Sequence, residues 1–185
     1  NIERAIKKGT GEIPGIVYEE TRYEAYGPAG VAVLVDVLTD NKNRTVSEIR
    51  HIFTKNNGAM AEAGAVGWNF DRKGLITVAK SGLTDDQIFE KAIEAGADDV
   101  DTEGDMYELK TADSDLHAVV NALEQMGIKV EEAKLTMLPK TTVKVEGANV
   151  GAILRLMESL EDNDDVQDFY ANFDISDEDM AAAMN

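Results

Sequence analysis

Several residues fall where they could hold phosphate. Lys42, Asn43 and Arg44 lie in a polar loop, Arg50 and Lys55 on the helix that follows, and Arg72 and Lys73 at an expected hairpin tip. Lysine and arginine side chains position a protein on a nucleic-acid strand by contacting its phosphate oxygens. Trp68 and Phe70 precede that tip, and exposed aromatic rings can stack on unpaired bases. The two alternate along one strand face, however, which is the pattern of core residues. The Asp40–Thr45 loop, which has no core duty, is therefore the better candidate. Asn41 and Asn43 read equally well as turn formers that bond their own backbone.

Other chemistry finds less support. Asp99-x-Asp101-x-Glu103-Gly104 imitates the start of a calcium loop, but Lys110 stands where the bidentate glutamate belongs, so a solvated acidic turn is expected. Gly9-x-Gly11 runs on to Pro14 and Gly15, matching neither a dinucleotide fingerprint nor a P-loop. His51 and His117 have no nucleophile beside them in sequence, although His51 next to Arg50 could meet a phosphate. With no cysteine there is no disulfide framework and no thiolate metal site. The expectation is a protein without catalytic residues, metal or cofactor.

A net charge of -18 argues against nucleic acid until its distribution is considered. Residues 1–80 carry 11 Lys and Arg against 10 Asp and Glu, whereas residues 81–185 carry 7 against 26. Any phosphate contact should come from the first half. The acidic half reads as a solubilising surface.

Elements must position these residues. Ile16–Tyr26 reads as a strand, and Tyr26-Gly27-Pro28-Ala29-Gly30 as a tight turn in which Pro28 fixes φ and Gly27 and Gly30 supply unusual backbone freedom. Val31–Leu38, nearly all apolar, reads as a covered central strand. Thr45-x-x-Glu48 matches a capping box for a helix over 46–57, with Val46, Ile49 and Phe53 inward and Gly58 as its left-handed end. Ala59–Ala65 reads as a connector. Val66–Phe70 and Leu75–Ala79 read as strands flanking a turn at Asp71–Gly74. Thr84-x-x-Gln87 opens a helix with Ile88, Phe89, Ala92 and Ile93 inward. Two short strands about Gly104, a helix over 113–126 and a strand over 130–138 complete this block.

After Pro139 the pattern resets, with a strand over 142–145, a helix over 149–160 and a strand over 166–173. The first and last blocks each leave a helix that cannot bury its face alone. Joined, they make a four-stranded, two-helix sandwich. The expected fold is α+β, with two ferredoxin-like sandwich domains, one inserted into the other. A discontinuous domain takes 11–64 plus 139–175, an inserted domain takes 65–138, and 176–185 is an acidic tail. Asn1–Lys8 reads as a helix end, so 1–10 is expected to be the remnant of a further domain. No apolar run is long enough to span a membrane. With no long exposed apolar stripe, a monomer is expected.

Tyr26-Gly27-Pro28, Gly30-Val31-Ala32, Leu38-Thr39-Asp40-Asn41, Asn43-Arg44-Thr45, Lys55-Asn56, Gly58, Gly64, Val66, Trp68, Phe70 and Lys73-Gly74 occur in fixed order. In this the chain closely resembles the YebC/PmpR family, which includes bacterial transcriptional regulators and a mitochondrial translational activator of cytochrome c oxidase. Ala29, Asn57, Ala59 and Ala61 depart from the family pattern, where Gly or Asn is common. The resemblance implies a basic N-terminal helical domain, mostly absent here. It also implies a cytoplasmic bacterial protein, or a mitochondrial matrix protein in a eukaryote. It implies a DNA-binding transcriptional regulator or, alternatively, a translation factor docking on the ribosome. A third reading is a protein–protein adaptor whose acidic segments Glu158–Asp168 and Asp174–Asp179 meet a basic partner.

Overall fold

The computed structural model describes residues 15–185. The expectations for Asn1–Lys8, for the remnant over 1–10 and for Gly9-x-Gly11 lie outside the described residues. The chain separates into two units, one taking the chain up to Phe70 and again from Pro139, the other Asp71–Leu138.

The first unit begins with β1 (Glu19–Tyr26) and β2 (Ala32–Thr39), an antiparallel hairpin in which Tyr26 faces Ala32 and Glu19 faces Thr39. Helix α1 (Lys42–Lys55) follows, then β3 (Ala59–Ala61), which returns to pair with the end of β1. The second unit runs β4 (Phe70–Ala79), α2 (Asp85–Ala95), β5 (Asp99–Asp101), β6 (Met106–Ala112), α3 (Leu116–Gln125) and β7 (Val130–Pro139). The chain then re-enters the first unit as β8 (Val143–Lys144), α4 (Ala148–Asp162), β9 (Val166–Ala171), β10 (Phe173–Asp174) and α5 (Asp177–Ala183). The sheet orders are β3-β1-β2-β9 and β5-β6-β4-β7, with β8 and β10 forming a small parallel pair. The fold is α+β, as the pattern implies.

Burial follows periodicity. Alternate residues Val33, Val35 and Val37 of β2 point toward α1 and α4, where Ile49, Phe53, Ile153, Leu156 and Leu160 are fully enclosed. Leu34, facing the other way, is also buried, whereas Asp36 and Leu38 on that second face are only partly so. In the second unit Ile76, Val78, Tyr107 and Leu109 of the sheet pack with Ile88 and Ala92 of α2 and Val119 and Leu123 of α3. Thr84 and Gln87 form the expected reciprocal capping box of α2.

Other expectations are corrected. Thr142–Val145 is the expected fourth strand of the first sheet; Ala59–Ala61, read as a connector, takes that place by pairing with Glu24–Tyr26 of β1, while Val143–Lys144 pairs with β10 instead. Residues 66–69 form a 3-10 turn rather than a strand, and Asp71–Gly74 continue β4 rather than turning, with Lys73 opposite Ala112. Arg72 and Lys73 therefore sit within a strand. Phe89 and Ile93 of α2 are about half exposed, since only Ile88 and Ala92 reach the core.

The turn residues also differ in role. Gly27 has an ordinary extended conformation; what matters there is the missing side chain, since a Cβ would lie 3.0 Å from Leu156 Cδ2. Pro28 is buried and Gly30 carries φ 77°. The left-handed residue ending α1 is Asn57 rather than Gly58, with the Gly58 N–H reaching back 2.7 Å to the Phe53 carbonyl. Ala29 adopts φ 61°, an unfavourable conformation for a residue with a Cβ. Ala29→Gly should accordingly raise stability by about 0.5–1 kcal/mol, net of glycine's greater unfolded-state entropy. A urea midpoint that fails to rise would contradict this account of the turn.

Candidate functional site

Helix α1 starts earlier than the capping-box pattern suggests. Asn41, not Thr45, is its cap: Asn41 Oδ1 accepts the Arg44 N–H at 3.1 Å, while the Asn41 N–H is taken by Thr39 Oγ1 at 3.0 Å. Lys42, Asn43 and Arg44 therefore occupy the first helical turn rather than a loop. Thr45 is buried, and its hydroxyl donates to the Asp165 carboxylate at 2.8 Å. Apolar residues at helical spacing, Ile49 and Phe53, continue the inward stripe from Thr45. Asn43, Ser47, Arg50, His51, Thr54 and Lys55 are left on the exposed side.

The cations differ sharply in how far they are committed. Arg44 donates to Asp40 at 2.9 Å and to the buried Asp165 at 3.0 Å. These bonds, that to Asp165 foremost, raise the guanidinium pKa further above its ordinary value. Asp165 also accepts the Leu38 N–H through its backbone carbonyl at 2.8 Å, tying the end of β2 to the turn before β9. Arg44 is thus a brace at the β2–α1 junction. Lys42 pairs with Glu19 at 3.1 Å, Lys73 with Asp98 at 3.4 Å, and Arg72 more loosely with Asp113 at 3.9 Å. Arg50 and Lys55 are exposed and make no ion pair among the described residues. Of the expected site residues, Lys42, Asn43, Arg44, Arg50 and Lys55 share α1, whereas Arg72 and Lys73 belong to the second unit.

A second feature was missed. Trp68, expected in the core with Phe70, is 64% exposed, and only Phe70 is buried. The indole Nε1 donates to the Ala65 carbonyl at 3.0 Å, and the hydroxyl of Tyr26 lies 3.5 Å from the same oxygen, a long and weak contact. The loop carrying Ala65 is pinned by Glu24, whose carboxylate accepts the backbone N–H groups of Gly64, Val66 and Gly67. Burial pushes this carboxyl up, but the three N–H donors and nearby Arg22 outweigh it and hold its pKa below the usual range. The sequence signal was the small-residue run Ala63-Gly64-Ala65 beside a lone tryptophan, which no core helix or strand requires.

Two concavities of the first unit are acidic, whereas one in the second unit is lined by Lys91, Lys129 and Glu131. Arg22 bonds Asp36 through Nε at 2.6 Å and Nη2 at 2.9 Å on the open face of the first sheet. This pair, with Glu20, Gln167 and Asp168, lines a cleft of about 520 Å³. Its one cation is already neutralised, so the cleft repels phosphate. Asp101 Oδ1 accepts the Glu103 N–H within the acidic turn between β5 and β6. Among the described residues no group of His, Asp and Glu converges to hold a metal ion, and His51 and His117 are exposed. No helix there is long and apolar enough to cross a membrane.

Residues 18–173 match a family model described as the TACO1/YebC second and third domain. The chain is 58% identical over 184 residues to a "Probable transcriptional regulatory protein" of Geobacter sp. (strain M21), an alignment covering all of this chain and 74% of that protein. A protein of the same description from Geobacter sulfurreducens is 56% identical with the same coverage. Among solved structures, the conserved hypothetical protein Aq1575 from Aquifex aeolicus shares 43% identity at a TM-score of 0.78, covering 95% of this chain and 73% of that one.

Proposed function

The chain belongs to the TACO1/YebC family, and on that basis we propose that it is a non-enzymatic, cytoplasmic regulator of gene expression that acts by contacting nucleic acid. The observation carrying this reading is the pair Arg50 and Lys55, cations on the exposed side of α1 with no ion pair among the described residues, in a protein rich in acidic residues. A cation already held by a carboxylate neutralises phosphate poorly, so these two lead. Exposed Asn43 supports them with a neutral donor. Lys42, Arg44, Arg72 and Lys73 contribute less, each being engaged by an acid.

Transcriptional regulation on DNA is the reading that the relatives' names favour. A ribosome-bound translation factor is the second, favoured by one observation. Helix α1 lies between strands β2 and β3, so no sequential second helix braces it across a groove as in a helix-turn-helix.

The double variant Arg50→Glu/Lys55→Glu should weaken nucleic-acid binding about tenfold or more and reduce the slope of log affinity against log salt by roughly two. Lys73→Glu, by comparison, should change little. Anisotropy titrations with labelled DNA and RNA across a salt series measure both quantities. Unchanged affinity and slope in the double variant would sink the proposal. Co-sedimentation with ribosomes after DNase, set against retention on DNA, separates the two readings.

A further inference from the structure

We propose that Trp68 and Tyr26 form a stacking platform for an unpaired base of a single-stranded nucleic acid, with the α1 cations taking the neighbouring phosphates. This rests on the nucleic-acid reading above and specifies the form the ligand must have.

The geometry argues for a flat ligand. The polar tips of both rings converge on one carbonyl, that of Ala65, so what they leave to solvent is ring surface rather than hydrogen-bonding groups. Exposure of 64% for Trp68 and 42% for Tyr26 is unusual for aromatic residues held in place. They are held: Glu24 fixes the intervening loop through three backbone N–H bonds, and Val66 within it is buried. A rigid ring loses little entropy when a ligand stacks on it. Around the rings the chain reads Ala61-Glu62-Ala63-Gly64-Ala65, so only Glu62 offers a long side chain.

The chain leaving α1 runs alongside the platform. The backbone of Tyr26 packs against Gly58, directly after the last turn of α1, and β3 pairs with Tyr26 through Ala59. Lys55 ends that helix three residues before Gly58. A ring face connected by so short a stretch of chain to Lys55, which makes no ion pair among the described residues, suits a base and a neighbouring phosphate. A duplex does not fit, because its bases are already stacked and its faces hidden. A protein ligand would call for aliphatic surface around the rings, where this loop offers alanine and glycine.

Trp68 is the sole tryptophan of the chain, so its emission reports directly on the platform. The test titrates the chain with short oligo(U) RNA, oligo(dT) DNA and a duplex of matched length, following probe anisotropy and tryptophan emission together. Expected are binding of the single strands with quenching of Trp68, weaker binding of the duplex, and loss of about 5- to 150-fold in affinity for Trp68→Ala without change in salt slope. Trp68→Phe should recover part of that loss. The two single strands separate RNA from DNA as the source of the base. Single strands that bind without changing Trp68 emission would overturn the platform and leave the phosphate reading intact. A duplex that binds and quenches equally would overturn the single-strand assignment. If no oligonucleotide binds, both proposals fall. Quenching is measured on the unaltered chain, so a poorly folding variant does not obscure the result.

Discussion

Replacing Asp165 by alanine is expected to cost about 3 kcal/mol of folding stability, the lower end of what breaking a buried ion pair removes. The carboxylate is almost inaccessible and accepts from Thr45 and Arg44, with Thr39 at the longer distance of 3.5 Å. Its loss leaves the buried Thr45 hydroxyl to fall back on the Asn41 carbonyl at 3.1 Å and strands one side of the Arg44 guanidinium. Arg44 is partly open to water, which limits the penalty and places the estimate at the low end. Asp165→Asn keeps the shape but surrenders the charge, so it should cost about 1–2 kcal/mol. Urea unfolding of both variants measures the difference. Equal and negligible losses would mean that the junction between β2, α1 and β9 is held by packing alone. The outcome bears on function because this junction sets the direction in which α1 presents Arg50 and Lys55.

Gly58→Ala should destabilise by about 2–4 kcal/mol, beyond ordinary overpacking because the obstruction is main chain. A Cβ there would sit far inside contact distance of the Tyr26 carbonyl oxygen, 3.2 Å from Gly27 Cα and 3.2 Å from the fully buried Phe53 ring. Neither backbone atom can yield without moving the β1–β2 turn. Gly58 is not in the left-handed region, so the effect is purely steric. Gly104→Ala is the control: its nearest neighbour would be 3.8 Å away, and stability should change by less than about 0.5 kcal/mol. Thermal melts of the pair decide the matter, and a Gly58→Ala melt close to that of the original chain would show that the turn relaxes freely. Displacing Tyr26 should also loosen the Trp68 platform, which the emission measurement can detect in the same variant.

Local rules explain what was legible. The apolar run of β2, the helical spacing of Ile49 with Phe53 and of Ile153 with Leu160, and the Thr84–Gln87 capping box all act within a few residues, and each produced the expected element. The chain re-enters its first unit at Pro139, and α4 then packs on the same core as α1. Membership of the family was legible in the ordered residues from Tyr26 to Gly74, and the matching family model spans them.

Long-range partners decided the rest. Nothing local distinguishes Thr45 as a helix cap from Thr45 as a buried donor; the choice was made by Asp165, 120 residues away. Nor could composition rank the cations, since Arg44 and Arg50 are the same residue type on the same helix. Arg44 is held by a carboxylate delivered by another part of the fold, whereas Arg50 meets none among the described residues. Trp68 was placed in the core by its alternation with Phe70, but Glu24 captures the backbone before it and turns a strand pattern into a 3-10 turn. The amino-acid sequence by itself determined the elements, the α+β class and the family, because periodicity and capping act over short range. Only the tertiary structure decided which charges are free and which rings are exposed, because both depend on groups that the chain brings together from far apart.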